Sequence, residues 1–281
     1  GRNLCYNDDR AFLNNETCPN TFLCVCSDCY YGRECKFATK GFIFSLDPIL
    51  GYHIKPNISL GRQPFIVKFS IIITTTMLIS ELIMGSWSVA IFRLKKSRKV
   101  GCGYYLLVSS INSMIMILLL TYKFWQLVLS QMSYITHRSI LLANCVSTEV
   151  ILKSCLASNE WLDACVAIER MLSVIKGVSF DKNRSRTIAK RVIFPAINLI
   201  MLTHVHEPLH RQLINDLDED QQRIWCLSSY SPIMTKYNTF ITLFHYIGSF
   251  SINLISALTI IIVAARNRFK VESGRAFKKH F

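Results

Sequence analysis

Residues 164–177 read ACVAIERMLSVIKG, an apolar run with an acid-base pair, Glu169-Arg170, set into it. A membrane helix tolerates such a pair at its mouth, where water or a partner reaches it, far better than at mid-bilayer. The reading therefore turns on where the ends of this helix lie. Hydrophobic residues make up 51% of the 281, yet the formal net charge is +14, and mean hydropathy is +0.30. Apolar and basic residues must occupy separate segments, which is the pattern of a multispanning membrane protein with basic loops. A nucleic-acid binder of the same charge would gather Lys and Arg on one soluble face. Here they punctuate apolar runs, so no nucleic-acid partner is expected.

Apolar runs at about 65–92, 104–129, 141–175, 188–205 and 237–265 each approach or exceed the roughly 20 residues a helix needs to cross the hydrocarbon. They predict an all-α transmembrane bundle over 65–281. The fourth has the shortest apolar core, Val192 to Leu202, with Pro195 and Asn198 inside it. Proline is tolerated in a membrane helix when neighbours satisfy the freed carbonyl, and an interfacial helix is the alternative. Loop charge decides between them. Segments 93–103, 176–191 and 266–281 hold five, six and six Lys+Arg, whereas 130–140 and 204–236 hold one and three. The positive-inside rule puts the first three in the cytosol, and only five crossings keep 176–191 and 266–281 on one side. Residues 1–64 and the loop 204–236 then face outside. The chain starts at Gly1 and stops in a basic stretch after an apolar run, so both ends are read as cut.

Six of the eleven cysteines (Cys5, Cys18, Cys24, Cys26, Cys29 and Cys35) fall in the first 35 residues. An even, dense set in a short polar stretch predicts a disulfide module in an oxidising compartment. Sequons at Asn15 and Asn57 agree with an outside location. The spacing Cys24-x-Cys26-x8-Cys35, with Gly32 before the last cysteine, resembles the second half of an EGF-like module. Residues 1–40 are read as that module and 41–64 as an extracellular linker, with Cys29 an extra cysteine and the connectivity open. A zinc half-site at Cys26 and Cys29 is the alternative, but no second pair stands at ribbon spacing.

Within the third run, Cys145 precedes Arg170 by 25 residues, about 37 Å of helix against a hydrocarbon thickness of roughly 30 Å. Cys145 therefore belongs at the outer surface and Glu169-Arg170 at the cytosolic mouth. On a helical wheel Asp163 and Asn159 fall within about 20° of Arg170, and Glu149, Glu160 and Lys153 about 60–100° to one side. So polar an arc must face other helices or a water-filled cavity, which makes the third helix central. Glu149 and Lys153, four apart, are expected to pair. Glu160 and Asp163 either serve function or only neutralise buried charge.

A central third helix with an outer cysteine and an inner acidic-Arg pair at this separation resembles the rhodopsin-like seven-transmembrane receptors. Their Asp/Glu-Arg-Tyr motif stands here as Glu169-Arg170-Met171. That family joins the third-helix cysteine to one in the second outer loop, so the resemblance implies a disulfide between Cys145 and Cys226, with Cys102, Cys155 and Cys165 left as packed thiols. More narrowly, the chain resembles a divergent receptor group with an EGF-like end, in wording close to LDACVAIER (162–170) and FSLDPILGY (44–52), over most of residues 20–281. It departs from the wider family at Gly85-Ser86-Trp87-Ser88-Val89, where Gly-Asn-x-x-Val is usual, and at Ser113, near the usual sodium-site Asp. It also lacks a Trp in the fourth helix and a Pro in the middle of the fifth. Helices six and seven do not appear, so the chain is read as a fragment holding the first five.

The resemblance implies a plasma-membrane receptor that is not an enzyme and needs no cofactor. In it Glu169 holds Arg170 at rest, and release lets Arg170 meet a helix of a heterotrimeric G protein. Glu149, Leu152 and Lys153 are the ligand-pocket candidates; Leu152 and Lys153 argue against a biogenic amine. A peptide or protein ligand suits the EGF-like end and the acidic run Asp216, Asp218, Glu219, Asp220. A snorkelling ion pair is the plainer reading of Glu169-Arg170, and Lys182, Arg184, Arg186, Lys190 and Arg191 are expected to meet anionic membrane lipid.

The main alternative is a multispanning adhesion or scaffold protein whose EGF-like module binds outside. His206-Glu207-Pro208-Leu209-His210 also matches the H-E-x-x-H zinc-protease signature. That chemistry wants a continuous helix, which Pro208 interrupts, so the match is read as accidental and no metal is expected. His204 and Glu219 are the third-ligand candidates that keep the zinc reading open. A transporter is less attractive, because no pair of Gly/Pro-interrupted helices recurs as a repeat.

Overall fold

The computed structural model describes residues 10–13, 22–25, 30–31, 37–38, 50–135, 137–218, 221–228 and 230–279. Five helices in it are long and apolar enough to cross a membrane. They are α1 (Phe65–Arg93), α2 (Gly101–Gln131), α3 (Arg138–Lys176), α4 (Lys182–Thr203) and α5 (Pro232–Lys279). The chain is thus a multi-span helical protein. Phe65 at 80% exposure and Trp87 at 67% stand largely uncovered on α1, an arrangement that suits lipid and not water.

The N-terminal stretch contributes two small antiparallel hairpins, β1 (Arg10–Leu13) with β2 (Phe22–Val25) and β3 (Tyr30–Tyr31) with β4 (Phe37–Ala38). Cys5, Cys18, Cys26, Cys29 and Cys35 lie outside the described residues, and of Cys24 only its backbone place opposite Ala11 is described. The expected bridges of that module therefore fall outside the described part.

Part of the segment expected to be a linker is packed. Leu50 and Ile54 are buried with Val67, Phe124, Leu127, Val128 and Met132 in a cluster at the outer end of α1 and α2. Gln63 folds the segment on itself, accepting from Lys55 N at 2.9 Å and donating to Lys55 O at 2.7 Å and Ile58 O at 3.2 Å. Asn57, the second sequon, is exposed at φ 55°.

Among the helices α3 is central: it packs against α2, α4 and α5, while α1 packs on α2. Small residues let the backbones approach. A Cβ on Gly85 of α1 would stand 2.7 Å from Met114 Cγ of α2, and one on Gly103 of α2 would stand 2.0 Å from the Ser97 carbonyl oxygen. Helix ends follow local chemistry. Gly177 closes α3 at φ +51°, a conformation that penalises any Cβ. Asp181 caps α4 by accepting from Asn183 N (2.9 Å) and Arg184 N (3.1 Å). That cap starts α4 at Lys182, six residues before the expected position 188, and Pro195 sits inside the helix. The α5 helix likewise outruns its expected end at 265, continuing through the basic tail to Lys279.

The loop after α4 is not a plain connection. It holds an antiparallel hairpin, β5 (Arg211–Asp218) with β6 (Gln221–Ser228), in a register that sets Leu213 opposite Cys226 and Ile214 opposite Trp225. Trp225 is 2% exposed, and a Cβ on Gly51 would stand 2.6 Å from its ring. The hairpin therefore lies on the pre-α1 segment as well as on α3.

Candidate functional site

Polar contacts at three levels of α2 mark out three places along α3: one at its Cys145 end, called the outer site, a middle seam, and one at its Glu169 end, called the inner site. On α2 the residues involved are Gly101, Asn112 and Lys123, eleven apart. Eleven residues are close to three helical turns, so they share one face at steps of about 16 Å.

At the outer end, Cys145 near the start of α3 is bonded to Cys226 of β6, with Cα atoms 5.5 Å apart. Beneath this bridge lies a buried ionic network. Lys123 of α2 is ion-paired with Glu149, and Lys153 with Glu207. Arg211, at the start of β5, reaches Glu207 at 2.9 Å and stands 4.0 Å from Glu149. Glu207 is 0% exposed. Glu149 and Lys153 therefore do not pair with each other as expected. Each turns to a partner on another element, because those partners are desolvated beside them, whereas an i,i+4 pair along one helix is worth only about 0.2–0.5 kcal/mol.

A narrow cleft adjoins this network, walled by Lys123, Gln126, Glu149 and Arg211 together with the Cys145 and Cys226 bridge. Of the pocket candidates, Glu149 lines it, while Leu152 and Lys153 do not. Tyr230, just after the hairpin, has its ring centroid 5.5 Å from that of His210. Burial, ahead of the neighbouring Glu207 charge, pushes the Tyr230 hydroxyl up to about 12, so it stays protonated at neutral pH.

The H-E-x-x-H residues serve this outer region without forming a helix of their own. The α4 helix ends at Thr203, and Pro208–His210 is a separate 3-10 turn. His206 Nδ1 and His210 Nδ1 lie on the backbone carbonyls of Thr203 and His206 at 3.0 and 2.9 Å. The Glu207 carboxylate is held by Lys153 and Arg211 instead of facing a water between histidines.

In the middle, Asn112 donates to Asn159 Oδ1 (2.8 Å) and to the Cys155 carbonyl (2.7 Å), and Asn159 donates to Ser113 Oγ at 3.0 Å. Asn159 thus faces α2 as the polar arc requires. Asp163, on the same arc, is exposed and Glu160 is half-buried. The arc thus meets α2 at Asn159 and at Glu149, while Asp163 is left uncovered. Opposite, Trp161 Nε1 donates to His245 Nδ1 of α5 at 2.9 Å, and His245 Nε2 lies 2.9 Å from Thr203 Oγ1 of α4. One histidine so ties α3, α4 and α5 together.

At the inner end, Glu169 is 9% exposed and Arg170 is exposed. The two form no ion pair among the described residues, contrary to the resting contact the resemblance implied. Glu169 Oε1 instead accepts from Ser185 Oγ of α4 at 2.5 Å. Ser185 Oγ in turn accepts from Gly101 N, at the start of α2, at 3.1 Å. The reason is rotational. Adjacent helix residues point about 100° apart, so Glu169 turns to Ser185 of α4 while the Arg170 guanidinium lies beside the Cys102 thiol of α2. A Cβ at Gly101 would meet Glu169 Oε2 and the Ser185 carbonyl, each at 2.8 Å. Met171 is half-buried. Basic side chains gather next to this site, with Arg186 and Lys190 lying 5.7 and 5.2 Å from the Tyr104 ring centroid. Cys102 and Cys155 are buried free thiols, and Cys165 is a half-buried one.

Sequence reasoning missed Lys123, Gln126, Arg211, Asn112 and Ser185. Lys123 had a signal, a lone ammonium within an apolar run. The role of Glu207 was hidden by its motif. No protein-family model matches the chain, and no curated protein matches it.

Proposed function

We propose that the chain belongs to a plasma-membrane receptor of the rhodopsin-like seven-transmembrane class, its N-terminal EGF-like segment outside, which relays an extracellular ligand to a heterotrimeric G protein. One observation carries the reading: a single central helix has its outer end bonded to the hairpin loop at Cys145–Cys226 and holds Glu169-Arg170 at its other end. Loop charge supports the orientation, since the basic segments flank the Glu169 end.

In this reading the outer network is where ligand acts and the inner contact is what changes. Glu169 is engaged with α4 and the start of α2, so a shift of α3 against either helix alters the surroundings of Arg170 as well. Arg170 is exposed beside the Cys102 thiol at the start of α2, where a partner helix can reach it. The latch is thus Glu169–Ser185, between helices, and not an in-helix pair.

The test is nucleotide exchange on heterotrimeric G protein added to vesicles that hold the full-length protein. Wild-type protein raises exchange over empty vesicles, and Arg170→Ala returns it to that baseline. Equal exchange by wild type and Arg170→Ala, at matched amounts of folded protein, rejects coupling and leaves the adhesion reading in its place.

A further inference from the structure

We propose that the cleft beneath the β5–β6 hairpin is an oxyanion subsite, taking a carboxylate or phosphate group of the ligand between the Arg211 guanidinium and the Gln126 carboxamide. The assignment names the chemistry of the ligand at the outer site, and it rests on the receptor reading only for what binding would trigger.

Gln126 carries the argument. It is 4% exposed, it lines the cleft, and neither its Nε2 nor its Oε1 has a hydrogen-bond partner among the described residues. Buried carboxamides are nearly always paired, and leaving one unpaired costs free energy without return. Leu or Met would fill the same space without leaving polar atoms unpaired. An unpaired amide aimed at a cleft is instead what a site looks like before its ligand supplies the missing partner.

Charge selects the class. The described network contains three cations, Lys123, Lys153 and Arg211, against two carboxylates, Glu149 and Glu207. Of these, Arg211, Lys123 and Glu149 line the cleft. Arg211 is 8% exposed. Its Nη2 is committed to Glu207, while its Nε lacks a partner. The guanidinium is also fixed beside the disulfide, with Nη1 3.9 Å from Cys226 Sγ. An oxyanion supplies an acceptor to Arg211 Nε and Gln126 Nε2, through hydrogen bonds of the charge-assisted kind. A cationic ligand would offer Arg211 Nε no acceptor, and an apolar one would leave Gln126 as it is.

The test uses full-length protein in nanodiscs, with thermal unfolding followed during titration at constant ionic strength. N-acetylglycine represents a peptide-end carboxylate and inorganic phosphate the other source; N-acetylglycinamide and chloride are the matched controls. One or both oxyanions raise Tm saturably, the stronger of the two naming the source, and neither control does. Gln126→Met leaves the unliganded Tm equal or higher, because it removes two unpaired polar atoms, and moves the titration midpoint up by about tenfold or more. Gln126→Glu supplies an internal carboxylate, raises the unliganded Tm and abolishes the response. The assignment is overturned by any of these results: no oxyanion effect beyond chloride, an equal effect of the neutral amide, an unchanged midpoint in Gln126→Met, a lowered unliganded Tm in that variant, or a response retained in Gln126→Glu. No G protein is present. A Tm response without nucleotide exchange therefore rejects the receptor reading alone, and exchange without a Tm response rejects the subsite alone.

Discussion

Ser185→Ala removes one oxygen that serves two helices. Its hydroxyl donates to Glu169 Oε1 at 2.5 Å and accepts from Gly101 N at 3.1 Å, so the substitution cuts the contact between α3 and α4 and leaves the first amide of α2 without its acceptor. A hydrogen bond to a charged group contributes about 1.5–3 kcal/mol, which is roughly a 10- to 150-fold change in the ratio of latched to unlatched conformations. If latching is the resting state, basal nucleotide exchange on added G protein rises in Ser185→Ala. It rises also in Glu169→Gln, which keeps the shape and loses the charge. Both act on one contact, so the double variant Ser185→Ala/Glu169→Gln adds little to the larger single effect, a non-additivity that a double-mutant cycle reads directly. Thermal unfolding of each variant separates unlatching from loss of fold. Basal exchange equal to wild type in folded Ser185→Ala, or additive effects in the double variant, would refute the latch.

Three further outcomes follow from the geometry. Cys145→Ser and Cys226→Ser lower thermal stability equally and the double variant no further, the chain-entropy limit for a separation of 81 residues being about 4.5 kcal/mol; a double variant clearly less stable than either single one would contradict the pairing. Glu207→Gln strands Lys153 and Arg211 and costs about 3–5 kcal/mol in a denaturant or thermal melt, whereas adding Lys153→Met to it recovers part of the loss. Gly103→Ala, whose Cβ would stand 2.0 Å from the Ser97 carbonyl, lowers Tm and folded yield, while Gly61→Ala, with nothing within 4 Å, changes neither.

The legible part of the site was the part written along one helix. Cys145 and Arg170 could be assigned to opposite ends of one helix because helix rise is a fixed length. The polarity of α3 announced a central position. The Cys145–Cys226 pairing that the resemblance implied is present, but the ionic partners within the bundle were misread. Glu149 and Lys153 are neighbours on a wheel, but Lys123 and Glu207 come to them from segments 26 and 54 residues away, differences read from the numbering. The Glu169-Arg170 pair looked self-sufficient, yet adjacent side chains on a helix diverge, and Ser185 was the partner within reach.

Composition and charge by themselves determined the class of this protein. Alternation of apolar runs with basic loops located the five helices long and apolar enough to cross a membrane, since solvation by water or lipid acts on each segment separately and needs no knowledge of its neighbours. Only the tertiary structure decided that α4 ends in a turn carrying Glu207 into a buried network, that the outer loop is a hairpin, and that Gln126 faces a cleft with its amide unpaired. Those outcomes depend on rotation and crossing between helices. Small residues such as Gly85 against Met114 and Gly101 against Glu169 and Ser185 permit them through close approach, a property of pairs that no single segment contains.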